Sequence, residues 1–305
     1  MLYLETQNIV KQYGSYTALN GVSIKVPKGC IYGLLGPNGA GKSSLIRIIN
    51  RITAPDSGKV LLNGKESTAD DIFNIGYLPE ERGLYKKMKV GEHIIFLARL
   101  RGLSVEEARQ KTEYWLNKFN IASWENKKVE ELSKGMQQKI QFIATVIHEP
   151  DLYILDEPFS GFDPVNAELL KNELLELKAK GKTIILSTHN MESVEELCDE
   201  ISLINKSKVV LQGNVKDIRT QYRQHIFNLT LAGTAFDEQS ESQYFSILSK
   251  QILKDSIEIQ IKRNEGVSNS DLLRDAASQY EILSFEEELP SMNDIFIQLV
   301  SNTAQ

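Results

Sequence analysis

CIYGLLGPNGAGKSSLIRI, residues 30–48, passes from an apolar run through a glycine-rich loop into a periodic apolar segment. The apolar run predicts a buried strand. Leu45, Ile46, Ile48, Ile49 and Ile52 predict a partly buried helix, which Pro55 follows. Between them GPNGAGKS (36–43) satisfies G-x-x-x-x-G-K-[ST] in full. Glycines let the backbone wrap an anion and present N–H groups where a side chain would block the approach. The helix that follows aims its partly positive N-terminus at the same anion. Lys42 is placed for the β- and γ-phosphates of a nucleotide, and Ser43 offers a hydroxyl to Mg²⁺. The expected contact stretch is Gly36, Pro37, Asn38, Gly39, Ala40, Gly41, Lys42, Ser43 and Ser44.

Working outward, LYLETQNIV, VSIKV and KVLLNG predict strands around this segment, the last ending in an Asn-Gly turn. Residues 91–121 predict helix, and so do residues 134–148, with Met136, Ile140, Ile143 and Ile147 on one face and Pro150 as the stop. The compact runs LYIL (152–155) and TIIL (183–186) flank a helical AELLKNELLELKAKG. Strands alternating with helices predict an α/β fold with a mostly parallel, doubly wound sheet, whose ligands sit at the carboxyl ends of strands. At one such end LYILDEP places Asp156, able to hold Mg²⁺, and Glu157, placed to orient or deprotonate an attacking water.

Past about residue 220 the pattern changes. IFNLTL and SIEIQIK alternate as half-exposed strands, YFSILSKQIL and DLLRDAASQ predict helices, YEILSFEEE a third strand and SMNDIFIQLVS a closing helix. The expectation is a main domain at 1–220 and a small α+β accessory domain at 221–305, without a catalytic constellation of its own.

The chain has 305 residues, 41% hydrophobic and 25% charged, with a formal charge of −6. That is the composition of a globular protein with a sizeable core, and it lacks the basic balance of a nucleic-acid binder. Cys30 and Cys198 stand apart without metal spacing and are expected as reduced thiols. MLYLETQNIVKQYG has no basic region leading into an apolar core, and no stretch nears the roughly 20 apolar residues of a membrane span. A cytoplasmic protein is expected, with any membrane role exercised through a partner.

GPNGAGKSS, LSKGMQQK, LYILDEP, SGFD and STH, in that order and spacing, resemble the ATP-binding-cassette (ABC) ATPases over roughly residues 1–220. LSKGMQQ ahead of the Asp-Glu strand carries the specificity, since other P-loop classes lack it. GYLPEERGLY and LPSMNDIFIQLV resemble the bacterial exporter-type cassettes whose permease is a separate membrane protein and whose cassette precedes a small extra domain. The resemblance implies a P-loop NTPase core with an antiparallel β subdomain and a helical subdomain, ATP and Mg²⁺ as cofactors, and ATP hydrolysis coupled to transport. It assigns Tyr13 to the adenine, Glu157 to catalysis, His189 to the γ-phosphate and Asp163 to the loop that crosses to a partner subunit. Ser133 and Gly135, opening the signature helix, are implied to face the γ-phosphate held by a second ATPase subunit, a homodimer being expected. Residues 80–101 are implied to dock a cytoplasmic helix of the permease, which would hold the chain at the inner face of the cell membrane.

Two positions depart from the family pattern. Glu80 stands where glutamine is usual, at a position implied to touch Mg²⁺ or the lytic water, and Lys134 stands where the signature commonly has glycine. The alternative is an ABC ATPase working on ribosomes or DNA. Members of those kinds resemble paired cassettes or carry long coiled coils; this chain has one cassette, no sustained heptads and an acidic balance.

Overall fold

The computed structural model describes residues 1–81, 83–234 and 243–302, which form two compact units, Met1–Val215 and Lys216–Gln305. The first unit opens with β1 (Leu2–Tyr13), β2 (Tyr16–Val22), β3 (Lys25–Pro27), β4 (Ile31–Leu35) and α1 (Lys42–Ile49). β5 (Ser57–Leu62), β6 (Lys65–Glu66) and β7 (Ile75–Leu78) lead to three helices, α2 (Val90–Leu100), α3 (Val105–Lys118) and α4 (Lys134–Val146). β8 (Leu152–Asp156), α5 (Pro164–Ala179), β9 (Thr183–Ser187), α6 (Met191–Leu197), β10 (Glu200–Asn205) and β11 (Lys208–Asn214) complete it.

The central sheet runs β11-β10-β4-β9-β8-β7, parallel throughout except for the antiparallel edge pair β10–β11. Every residue of β4, β8 and β9 is buried, which is why all three are near-continuous apolar runs rather than alternating ones. The second sheet, β2-β1-β5-β6 with β3 on β1, is antiparallel. Leu4, Ile9, Leu19 and Val26 of this sheet share a core with Leu34, Leu45, Ile49 and Ile154, so the antiparallel layer packs on the loop-and-helix segment that decides the fold. No helix among the described residues is long and apolar enough to cross a membrane.

The structure corrects several boundaries. β2 is a strand where YTALNGV, diluted by Thr, Ala, Asn and Gly, gave no signal, and the VSIKV strand shrinks to Lys25–Pro27. α1 ends at Ile49: the Asn50 side chain turns back to the Ile46 carbonyl at 2.9 Å, Arg51 takes a φ of 56°, and Ile52 is left 59% exposed. Residues 91–121 are two helices rather than one. Gly102 at φ 94° ends the first, and Ser104 with Glu107 forms a reciprocal cap on the second.

The second unit is reached through α7 (Val215–Gln221), then β12 (Ile226–Ala232), β13 (Phe245–Ile252), β14 (Ser256–Arg263), α8 (Asn269–Gln279), β15 (Ile282–Glu288) and α9 (Met292–Asn302). Its antiparallel sheet has the order β13-β14-β12-β15. Phe227, Leu229 and Leu231 alternate with exposed or half-buried residues and bury against Ile257, Ile259, Ile261 and the α8 residues Leu272 and Ala276. The helix expected over YFSILSKQIL is instead β13, paired along its length with β14. Those apolar residues suit a helical face locally, and the long-range pairing overrides that preference.

Candidate functional site

The loop between β4 and α1 owes its shape to two glycines. A Cβ on Gly36, at φ 148°, would lie 2.2 Å from the Ile204 carbonyl oxygen, and one on Gly41, at φ 117°, would lie 2.3 Å from that of Ala18. Both are below any real contact, so the loop can press against β10 and β2 only with glycine at these places. Gly41 caps α1 without a side chain, which leaves the first amides of the helix directed outward. The Lys42 ammonium folds back onto the Gly36 and Pro37 carbonyls at 2.7 and 3.2 Å, and Ala40 is buried.

A cleft of about 230 Å³ opens above this loop. Its walls bring together Asn38, Gly39, Gly41, Lys42, Ser43 and Ser44 with Glu80 from the loop after β7, Asp156 and Glu157 from the end of β8, and His189 after β9. These strand ends are neighbours because β8 pairs with β7 on one side and β9 on the other, Asp156 standing opposite Ser187. Glu157 takes a φ of 49°, an uncommon conformation for a residue with a side chain, while its N–H donates to the Ser187 carbonyl at 2.9 Å. Its carboxylate accepts from Thr188 Oγ1 at 3.3 Å and lies 2.7 Å from His189 Nδ1. With the proton on Nδ1, the imidazole donates to Glu157 and its Nε2 remains available; the ring is 73% exposed.

The electrostatics are those of a site built for a cation between anions. Burial pushes the Lys42 ammonium below its ordinary pKa, opposed by the carboxylates of Glu157, Asp156 and Glu80. Burial holds the Asp156 carboxyl above the ordinary range, reinforced by Glu80 and Glu157. Three carboxylates face one ammonium here, so a polyphosphate meets net negative charge unless a divalent ion stands between. Ser43, Asp156 and Glu80 offer the hard oxygen donors that suit Mg²⁺. Among the described residues no group of three or more His, Cys, Asp or Glu is arranged to hold a metal alone, so such an ion would complete its shell with ligand and water oxygens.

The other expected residues lie elsewhere. Ser133 is the exposed N-cap of α4, its hydroxyl accepting from the Met136 N–H at 3.3 Å, and neither it nor Gly135 lines the cleft. A Cβ on Gly135 would lie 3.1 Å from the Gly161 carbonyl oxygen, so α4 starts against the loop that follows Glu157. Asp163 caps α5, accepting from the Asn166 N–H at 2.9 Å and its Nδ2 at 2.6 Å, which holds the carboxyl below its ordinary pKa. Tyr13 is 44% exposed beneath the Lys11 ammonium and outside the cleft lining.

Sequence reasoning missed Tyr16, which lines the cleft and donates to the Gly39 carbonyl at 2.5 Å; it is registered against Tyr13 across the β1–β2 hairpin, so reading that hairpin would have found it. It also missed Gln138 and Gln141 of α4, whose amides donate to the Pro158 carbonyl at 3.3 Å and the Pro79 carbonyl at 2.9 Å. The burial of two glutamines on one helix face becomes visible only once the fold places those carbonyls.

The family model for ABC transporters matches residues 19–160, and that for the C-terminal domain of DrrA1-3-like ATP-binding proteins matches residues 213–300. The chain is 43% identical to the uncharacterized ABC transporter ATP-binding protein YhaQ of Bacillus subtilis strain 168, over 97% of this chain and 98% of that one. It is 32% identical to the linearmycin resistance ATP-binding protein LnrL of the same organism, over 98% and 99%. Among solved structures, an ATP-binding subunit of an ABC transporter superposes with a TM-score of 0.67 at 33% identity, covering 72% of this chain and 93% of that one.

Proposed function

The chain belongs to the ATP-binding, ATP-hydrolysing subunits of ABC transporters, and from that premise we propose that two copies close around two ATP–Mg²⁺ to drive export through a separate membrane permease. The observation that carries this reading is the division of the site. Lys42, Ser43, Glu80, Asp156, Glu157 and His189 share one cleft, whereas Ser133 and Gly135 stand at a helix N-terminus outside it. A helix N-terminus with exposed amides suits an anion that its own chain does not hold there. A two-fold pair would let each copy lend this terminus to the other's γ-phosphate, with Asp163 and its loop crossing at the same boundary.

Phosphoryl transfer needs positioning and charge neutralisation more than covalent chemistry. Mg²⁺, when bound, would neutralise charge on the β- and γ-phosphates. Ser43, Asp156 and Glu80 are its proposed ligands, directly or through water. Lys42 leaves the Gly36 and Pro37 carbonyls for the phosphate oxygens, and the loop amides bind the rest of the chain of phosphates. Glu157, fixed by Thr188 and His189, accepts the proton of the attacking water, and His189 presents its second nitrogen to the γ-phosphate. Tyr13 remains the proposed adenine contact, with Tyr16 holding the loop beside it.

The permease would dock on the groove of about 410 Å³ lined by Phe73, Tyr77, Leu84, Leu97 and Leu100. Phe73, Tyr85 and Leu100 are more than half exposed there or beside it, a cluster that calls for a partner. Arg82, within the expected docking stretch, lies outside the described residues. Gln141 lines this groove and also holds the Pro79 carbonyl next to Glu80, which links the docking surface to the cleft. The chain would thereby sit at the cytoplasmic face of the membrane. An export direction agrees with full-length likeness to a protein named for linearmycin resistance. Residues 221–305 are proposed as an accessory domain serving the same assembly.

Glu157→Gln tests the catalytic assignment. ATP binding should persist while turnover falls by at least about a hundredfold, the lower range for losing a general base. Unchanged turnover in a steady-state phosphate-release assay would remove Glu157 from that role.

A further inference from the structure

Two hydrogen bonds hold the Glu157 carboxylate, and they differ in kind. His189 Nδ1 lies 2.7 Å from Oε1, but its ring is 73% exposed, with little packed around it to fix its orientation. Thr188 Oγ1 donates to Oε2 at 3.3 Å from a residue only 1% exposed. Among the described residues no further hydrogen bond reaches this carboxylate.

The direction of the Thr188 bond is set by its neighbours. A hydroxyl carries one proton and two acceptor lone pairs. Here the Asn190 N–H donates to Thr188 Oγ1 at 3.1 Å, which occupies a lone pair and leaves the proton for Glu157. Asn190 is fixed in turn as the N-cap of α6, its Oδ1 accepting from the Ser193 N–H at 3.0 Å. Thr188 also follows β9 directly, and the Ser187 carbonyl before it accepts the Glu157 N–H at 2.9 Å. On the other side, the Ser160 N–H donates to the Glu157 carbonyl at 3.1 Å. The backbone of Glu157 is thus held at both ends, and branching at Cβ stiffens the threonine that reaches its side chain.

Glu157 needs such a hold. Its side chain turns about several single bonds, and a cation competes for it. Of the carboxylates facing the Lys42 ammonium, Glu157 acts on it most strongly, ahead of Asp156 and Glu80. A carboxylate drawn to Lys42 would leave hydrogen-bond reach of the water whose proton it must take. A misplacement of about 1 Å at such a step can cost about a hundredfold in rate. We propose that Thr188 is a positioning residue of the hydrolytic step: its hydroxyl, oriented by the Asn190 N–H, keeps the Glu157 carboxylate turned to the attacking water. This rests on the reading of Glu157 as the general base, and it gives the fixed hold to Thr188 rather than to the exposed His189.

Three substitutions in the full chain separate the hydroxyl from the rest of the side chain. Thr188→Val keeps the shape and removes the hydroxyl, Thr188→Ser keeps the hydroxyl and removes the methyl, and Thr188→Ala removes both. Phosphate release at saturating ATP and Mg²⁺ should fall at least about tenfold in the Val and Ala variants, the lower end for a hydrogen bond to a charged group. Thr188→Ser should stay within about threefold of the native rate. Equilibrium binding of radiolabelled ATP should stay within about twofold in all of them, whereas a general disturbance of the cleft would weaken binding and turnover together. Melting temperatures are measured alongside, and if Thr188→Val does not fold, Ser against Ala makes the same comparison. A native rate without the hydroxyl, or a Ser variant as slow as Ala, would overturn the proposal.

The second test repeats Thr188→Val in a Glu157→Gln background, followed over hours. With the base gone the hydroxyl has nothing to position, so the residual turnover should fall by less than about twofold further. An undiminished tenfold loss there would mean that Thr188 acts through another group, and the proposal fails. If Glu157→Gln alone hydrolyses at the native rate, the general-base reading fails and this proposal with it. If Glu157→Gln is inactive while Thr188→Val is not slowed, only this proposal fails.

Discussion

Asp156 shows how the cleft sets binding against stability. Only 4% exposed, its carboxyl is held above the ordinary range chiefly by burial, so the folded state prefers the protonated form more than the unfolded state does. The stability that the protonated group contributes is complete at acid pH and is lost as pH rises through the elevated native pKa. Asp156→Asn, isosteric and uncharged, should therefore raise the melting temperature of the nucleotide-free protein at pH 8, with a smaller gain at pH 5. The same change should abolish Mg²⁺-dependent hydrolysis. Differential scanning fluorimetry at the two pH values checks the first part; a lower melting temperature at pH 8 would contradict it. Glu80 carries the companion argument. Its charge, set beside Asp156 and Glu157, is unfavourable next to phosphates without a divalent ion between them. Hydrolysis by the native protein should thus depend more steeply on Mg²⁺ than hydrolysis by Glu80→Gln, and superimposable Mg²⁺ titrations would refute this.

Among the elements, α4 joins the loops on the two sides of the cleft. Its N-terminus abuts Gly161, Gln138 holds the Pro158 carbonyl on the Glu157 side, and Gln141 holds the Pro79 carbonyl on the Glu80 side. Gln141→Leu keeps the bulk but leaves that carbonyl unpaired beside the helix, at a cost of about 1–3 kcal/mol. The variant should bind ATP as the native chain does, melt several degrees lower, and lose most of any stimulation of its hydrolysis by the permease. Stimulation ratios in proteoliposomes decide it, and an undiminished ratio would disconnect Gln141 from coupling. None of this was legible beforehand, because the partners of both glutamines are backbone carbonyls some 20 and 62 positions away. What was legible is local. GPNGAGKS carries its own backbone geometry, and LYIL and TIIL announce strands buried on both faces. β13 failed for the converse reason: Phe245, Leu248 and Ile252 recur at helical spacing, and only pairing with β14 makes them a strand. Tyr16 was missed because YTALNGV has little alternation to mark it as a strand; the Gly14-Ser15 turn that registers it against Tyr13 was the available signal.

At the scale of the molecule, the two halves of the proposed site demand two copies, and the demand is measurable without a permease. One chain of 34.5 kDa presents a complete cradle and, elsewhere, an exposed α4 N-terminus with Lys134 at its first turn. If ATP is the bridge, closure depends on a γ-phosphate that persists, because only that group reaches both copies. Glu157→Gln with ATP and Mg²⁺ should therefore sediment at twice the monomer mass, and the same variant with ADP should remain single. Adding Ser133→Arg places a bulky side chain where, on the proposed reading, the N-cap would meet the partner's phosphate, and should restore the monomer while leaving ATP binding within about twofold, since a distant surface change seldom costs more than ~0.5 kcal/mol. Lys134→Gln removes the charge while keeping most of the side chain's length at the same terminus. Weaker dimerisation that salt no longer modulates would mean the ammonium adds to the clamp, whereas an unchanged dimer would mean it faces solvent. Sedimentation velocity across these variants distinguishes the outcomes, and an ATP-loaded Ser133→Arg chain that still dimerises would end the two-copy reading of the site.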